Sequence, residues 1–144
     1  MVEAARNASD RNPEASGDRR RLVGKRGEDH AMAYLEQLGY AILARNWRTR
    51  SGELDIIARD GECLVFVEVR TRQIGRQAAA PSFGAPEESV TPRKQLQLAA
   101  MADEYLFQMP WSGPKRIDVV AVELAADGSV RRLAHYRDAV EGMA

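Results

Sequence analysis

The sequence predicts an α/β domain in which one helix is followed by three strands, a second helix and a fourth strand. Three observations carry this expectation. Helical spacing of apolar residues occurs twice, before Gly39 and after Thr91, with a stop signal in the first case and a start signal in the second. Between them lie short β-branched runs, two of which flank Asp60-Gly61, a dipeptide suited to a tight hairpin because it tolerates positive φ. The second helix separates the third and fourth strands. That is the natural connection for a parallel pair, so a mixed sheet flanked by helices is expected.

Residues 1–20 are polar, carry Pro13 and Gly17, and offer almost nothing large to bury; they read as a disordered tail ending in the basic run Arg19-Arg20-Arg21. That run is either solvated or a phosphate contact. A single domain is expected over 21–138, with an uninformative tail at 139–144. From about Leu22 to Leu38, Ala31, Leu35 and Leu38 recur at helical spacing beside Met32, and Gly39 ends the helix. Glu28 lies on the same apolar face. It either reaches solvent or Arg26 from the open end of that face, or it serves a site.

Tyr40 to Arg48 reads as the first strand. Arg45, Arg48 and Arg50 flank Trp47, and basic residues interleaved with an aromatic suit a nucleic-acid backbone with a stacking base. The competing reading has Trp47 capping the core and the arginines pairing with acids of the hairpin. The hairpin follows, with strands at Leu54–Ala58 and Cys63–Thr71. Residues 73–90, rich in Gly, Ala and Pro, form a long loop expected to be mobile. Thr91 is a good N-cap and Pro92 suits the first helical position; Leu98, Ala99, Ala102, Tyr105 and Leu106 make the apolar stripe of the second helix. Gln95 lies above that stripe, with Lys94 beside it. Arg116 to Leu124 is apolar on both faces through Val122 and reads as an interior strand with Asp118 near its entry; Val130–Tyr136 is a weak edge strand.

The acids of the hairpin stand out. Alternation puts Glu53, Asp55 and Ile57 on one face of their strand, and Leu64, Phe66, Glu68 and Arg70 on one face of its partner. Asp55 and Glu68 are brought close by the tight turn. A carboxylate among Phe and Leu is costly to bury unless it is paired or bound to a cation. The hairpin therefore holds either an internal ion-pair network or a hard oxygen site suited to Mg²⁺ or Mn²⁺.

Composition sets the bounds. The chain has 144 residues, with 21 Lys+Arg against 21 Asp+Glu, so net charge is zero and nucleic-acid binding must rest on a local patch. Cys63 is the only cysteine, which excludes an internal disulfide, and His30 and His135 are too few and too separate for a zinc site. No apolar run approaches a membrane span, and the first residues lack the apolar segment of a secretory signal, so a cytoplasmic protein is expected.

Several ordered motifs resemble the bacterial YraN family: Gly24-Lys25-Arg26-Gly27-Glu28-Asp29-His30-Ala31, Gly39-Tyr40, Asn46-Trp47-Arg48, Gly52-Glu53-Leu54-Asp55-Ile56-Ile57-Ala58, Phe66-Val67-Glu68-Val69-Arg70-Thr71-Arg72, Lys94-Gln95 and Arg116-Ile117-Asp118-Val119-Val120. The match spans roughly residues 22–124. That family is similar to restriction-endonuclease-like proteins, including archaeal Holliday-junction resolvases. The resemblance implies a restriction-endonuclease-like αβββαβ core. It also implies that Asp55 and Glu68 are the metal-binding acids of a PD-(D/E)xK motif, with Arg70 where that motif has Lys. Glu28 resembles a first-helix acid that joins the metal site, Val69 would add a main-chain carbonyl, and Gln95 resembles a helix glutamine beside the active site.

The first expectation is thus a Mg²⁺- or Mn²⁺-dependent endonuclease acting on structured or branched DNA. Asp55, Glu68, Arg70, Gln95 and Glu28 would be catalytic, and Arg45, Trp47, Arg48, Arg72 and Lys94 would contact DNA. Resolvase action would also require a homodimer. The alternatives are a non-enzymatic nucleic-acid-binding or adaptor module on the same fold, and a metal-free ion-pair network.

Overall fold

A computed structural model describes residues 13–74 and 90–140. The elements run α1 (Pro13–Gln37), β1 (Ala41–Thr49), β2 (Gly52–Asp60), β3 (Cys63–Gln73), α2 (Pro92–Gln108), β4 (Lys115–Leu124) and β5 (Val130–Tyr136). The five strands form one sheet in sequence order. Only β3 and β4 pair in parallel, with Glu68 opposite Val119, as the intervening α2 requires. The fold is α/β with a mixed sheet, and its order is that of a restriction-endonuclease-like core extended by the edge strand β5.

Each helix covers one face. On one side α1 brings Ala31 and Leu35 against Ile56, Val65, Val67, Val120 and Val122. On the other, α2 brings Leu98, Met101, Ala102 and Tyr105 against Ile57, Phe66, Ile117 and Val119. From Val119 to Val122 interior β4 is apolar on both faces because both are covered. Thr91 caps α2 by accepting the Lys94 N–H, and Pro92 occupies the first turn. At the end of α1, Gly39 takes φ +89° and the Tyr40 N–H returns to the Leu35 carbonyl, as the expected stop signal requires.

Several features differ from expectation. The first helix starts at Pro13, not near Leu22, so residues 13–20 are not tail. Ala15 and Arg19–Arg21 are good helix formers and extend α1 past the segment it packs. The hairpin turn is Gly61-Glu62, not Asp60-Gly61: Asp60 still pairs with Cys63, and Gly61 takes φ +58°. The expected C-terminal tail does not begin at Ala139. The Ala139 N–H is bound by the Ile117 carbonyl, and Val140 is buried in the α2-side core. Finally, the pleat breaks in β1 and β2, so Glu53, Asp55 and Ile57 do not simply alternate with Leu54. Leu54 and Ile57 enter the same core layer, as Ala44 and Trp47 do on the neighbouring strand, and Asn46 between them adopts φ +51°. Residues 1–12, most of the expected mobile loop (75–89) and residues 141–144 lie outside the described residues.

Candidate metal and phosphate site

The pairing of β2 with β3 ends at Ile56–Val67. Beyond it the two strands part, and the acids sit in the fork. The Asp55 Oδ2 accepts the Val69 N–H at 2.8 Å, taking the place of a ladder partner. Glu68, next along β3, is only 5% exposed. Burial pushes the Asp55 carboxyl up to about 8. The Glu68 charge and a hydrogen bond with Glu68 add to this, the Val69 N–H opposes it, and the Glu28 charge contributes at the end. Two carboxylates held together in this way cannot both ionise cheaply without a proton or a cation between them.

Two cations reach the pair. The Lys94 Nζ lies 3.1 Å from Glu68 Oε2, and Arg70 lies 3.8 Å from the same oxygen and is more exposed. Lys94 comes from the first turn of α2, twenty-six positions from Glu68 in sequence, and reaches the site because α2 starts over the end of β3. Expected from sequence as a DNA contact, it stands closer to Glu68 than Arg70, the residue at the motif's Lys position.

Glu28 flanks the fork from α1, where its Oε1 accepts from Asn46 Nδ2 at 2.7 Å and faces Arg45 at 4.0 Å. Asn46 was missed from sequence as part of this arrangement. Its signal is modest but physical: Asn is among the few non-glycine residues that settle at positive φ, and here that conformation turns its amide toward α1. Gly27 lets α1 lie directly on β3, since a Cβ there would overlap the Thr71 side chain.

The other candidates are more dispersed. Gln95 donates its amide N–H to the Val90 carbonyl at 2.9 Å, holding the entry to α2. Arg45 pairs with Asp29 at 2.9 Å. Arg48 is exposed and 3.8 Å from Glu53. Arg72 is opposite Glu123 on β4 and exposed. Trp47 packs edge-on against Tyr105, ring centroids 5.1 Å apart, within the α2-side core; this is the core-capping arrangement, not an open stacking platform.

Asp118 belongs elsewhere, on the α1 face. It is fully buried and takes His135 Nε2 at 2.8 Å, Arg116 Nε at 3.0 Å and the Asp138 N–H at 2.9 Å. Burial works to raise its carboxyl, but these three partners win and hold it below the ordinary range. Tyr34, Tyr40 and Asp60 complete the network around His135 and Arg116.

Among the described residues no group of three or more Asp, Glu, His or Cys side chains is gathered closely enough to hold a metal ion by itself. The donor set at the fork is a pair of carboxylates, and no helix of the described residues is long and apolar enough to cross a membrane.

Comparison with known proteins agrees with the motif resemblance. The chain is 42% identical over 123 residues to a UPF0102 protein of Pelotomaculum thermopropionicum, covering 85% of this chain and 98% of that one. It is 49% identical over 112 residues to UPF0102 protein STH1475 of Symbiobacterium thermophilum, covering 77% and 90%. A UPF0102 protein of Mycolicibacterium vanbaalenii is 46% identical over 104 residues, covering 71% and 80%. The model of the uncharacterised protein family UPF0102 matches residues 27–122, which include the acid pair, Lys94 and Asp118 itself, and the chain belongs to that family, the YraN family.

Proposed function

We propose that this protein is a divalent-metal-dependent endonuclease that hydrolyses phosphodiester bonds in structured or branched DNA. The observation that carries the reading is the Asp55–Glu68 pair: two carboxylates forced together at the fork of β2 and β3, one pushed up to about 8, with a lysine ammonium 3.1 Å from the other. Perturbed acids brought together with a specific charge partner cluster at functional sites.

The residues fit a hard divalent cation. Asp55 and Glu68 would hold it, with main-chain and water oxygens completing the shell, as Mg²⁺ and Mn²⁺ commonly accept few protein carboxylates. Such a cation supplies a bound water of lowered pKa and neutralises charge on the phosphate. The chain's own groups do the rest. The Val69 N–H fixes one Asp55 oxygen and so orients the other. Lys94, 3.1 Å from Glu68, positions the attacking water; Arg70, with its planar guanidinium, holds the phosphate oxygens. Glu28, oriented by Asn46, bounds the site on the α1 side.

A second reading draws on the same ion pair. Glu68 already has Lys94 as a counter-charge, so the fork is also compatible with a nucleic-acid-binding module that does not cut. A panel of labelled four-way junction, flap, single-stranded and duplex DNA, incubated with Mg²⁺, Mn²⁺ or EDTA, separates the two. Metal-dependent cleavage abolished by Asp55→Ala and Glu68→Ala supports the nuclease. Binding without cleavage by the unaltered protein supports the module.

A further inference from the structure

Phe107 occupies the last turn of α2 and is 90% exposed. The core needs nothing from it, because Leu98, Met101, Ala102 and Tyr105 already form the inward face of that helix. Phe107 does not stand alone on a polar surface. It borders a groove of about 570 Å³ whose other walls are Arg48, Thr49, Arg50, Glu104 and Gln108. The two arginines come from the end of β1, and the side chain of Arg48 is 88% exposed. The acids nearby are partly engaged: Glu104 Oε2 accepts the Ser51 N–H at 3.4 Å, and Glu53 lies 3.8 Å from Arg48. The sequence pattern of arginines around an aromatic is therefore realised in space with Phe107 in the role that Trp47, packed on Tyr105, does not fill.

We propose that this groove binds an unpaired nucleotide of a DNA strand, its base stacked on Phe107 and its phosphates against Arg48 and Arg50. An aromatic face in a groove that guanidinium groups also line suits single strands, because every base offers a π-face while its phosphates need cations. A base inside a duplex is stacked on its neighbours and cannot present that face. Phe107 lies at the opposite end of α2 from Lys94, thirteen residues or about 20 Å along the helix. Arg48 pairs with Glu53, and Glu53 precedes Asp55 by two residues on β2, about 7 Å at the usual rise per residue. A strand seated on Phe107 would run past Arg48 and Glu53 before it reached the acid pair. The proposal rests on the nucleic-acid reading above and deepens it: the preferred substrate carries a single-stranded segment set back from the bond that is cut.

The test is a fluorescence-anisotropy titration in EDTA, where cleavage cannot intervene, with a labelled oligo-dT strand and a blunt duplex of equal length. Phe107→Ala is expected to weaken oligo-dT binding about tenfold, to leave the duplex unchanged, and to keep the thermal midpoint of the unaltered protein; Phe107→Trp should restore binding. Arg48→Ala with Arg50→Ala should weaken both ligands and lower the magnitude of the salt slope for the single strand by about 1.4, the value for two lost phosphate contacts. Equal oligo-dT affinity in Phe107→Ala overturns the proposal, as does an equal loss for the duplex or failure of the unaltered protein to bind oligo-dT. Sedimentation of Phe107→Ala supplies one more arm: a dimer lost with the ring identifies the groove as a contact between copies of the chain and overturns nucleotide binding. None of these readouts depends on cleavage, so failure of the nuclease reading is seen separately in the metal-dependent assay.

Discussion

Asp55 Oδ2 accepts the Val69 N–H at 2.8 Å just where the β2–β3 ladder stops. One carboxylate thereby satisfies a backbone donor that strand separation would leave orphaned, while its charge is opposed by burial and by Glu68. The fork is stable with a proton or a cation, and strained with neither.

That balance gives the metal-free protein a pH dependence. A carboxyl held at about 8 in the fold, against an ordinary 3.8, binds more protons folded than unfolded between those values. Its contribution to stability is therefore complete below about 3.8 and is lost as pH rises toward 8. In EDTA the melting temperature should fall between about pH 5 and pH 8 more steeply in the unaltered protein than in Asp55→Asn, which keeps an acceptor for Val69 without the charge. Mg²⁺ or Mn²⁺ should raise the midpoint most at the upper end of that range, because it binds only the folded pair. Identical pH profiles for the two proteins would remove the basis of the coupled-acid account.

Lys94 and Arg70 should prove unequal. Lys94→Ala is expected to reduce single-turnover cleavage on the order of 10²-fold, the scale for loss of one positioned donor beside the reacting group. Arg70→Ala, altering a more exposed and more distant cation, should cost less. The metal-induced rise in melting temperature should survive Lys94→Ala, since that change removes positive charge from the fork. A larger cleavage defect in Arg70→Ala than in Lys94→Ala would return the catalytic cation to the strand.

This division could not be read from the chain. The hairpin, the Thr91–Pro92 helix start and the parallel β3–β4 pair were legible because each depends on local chemistry: a turn glycine, a cap, a crossover of sufficient length. Asp55 and Glu68 were legible as neighbours for the same reason. Lys94 was visible only as a cation in a helix, because its approach to Glu68 depends on where α2 lands after a long connection. The pleat break was hidden too. Strict alternation assumes an unbroken strand, and Asn46 at positive φ inverts the faces after it, which turns Trp47 inward with Leu54.

The contact of Gly27 with Thr71 sets how closely Glu28 approaches the fork. Gly27→Ala places a methyl into the Thr71 side chain, and either α1 or Thr71 must move. A destabilisation of about 1–3 kcal/mol is expected, seen as a lower urea midpoint with unchanged slope. Gly24→Ala on the same helix meets nothing within 4 Å and serves as the control; it should be neutral or slightly stabilising. Equal effects at the two positions would show that helix propensity, not close packing, decides the outcome.

Asp118 lies within the residues that the family model matches, yet its partners give it a structural task. Its carboxylate joins β4 to His135 on β5, to Arg116 and to the Asp138 N–H, and it has no exposed surface. Asp118→Ala leaves the Arg116 guanidinium with Asp60 and Tyr40 but without its buried counter-charge, and leaves the Asp138 N–H unsatisfied. A loss of about 3–5 kcal/mol is expected by chemical denaturation. Because its folded carboxyl lies below the ordinary value, this contribution is present above about pH 4 and fades as pH falls below it, opposite in sign to that of Asp55. Asp118→Asn should recover part of the loss by keeping an acceptor. If Asp118→Ala retains full stability while cleavage disappears, the residue belongs to the chemistry and the network is incidental.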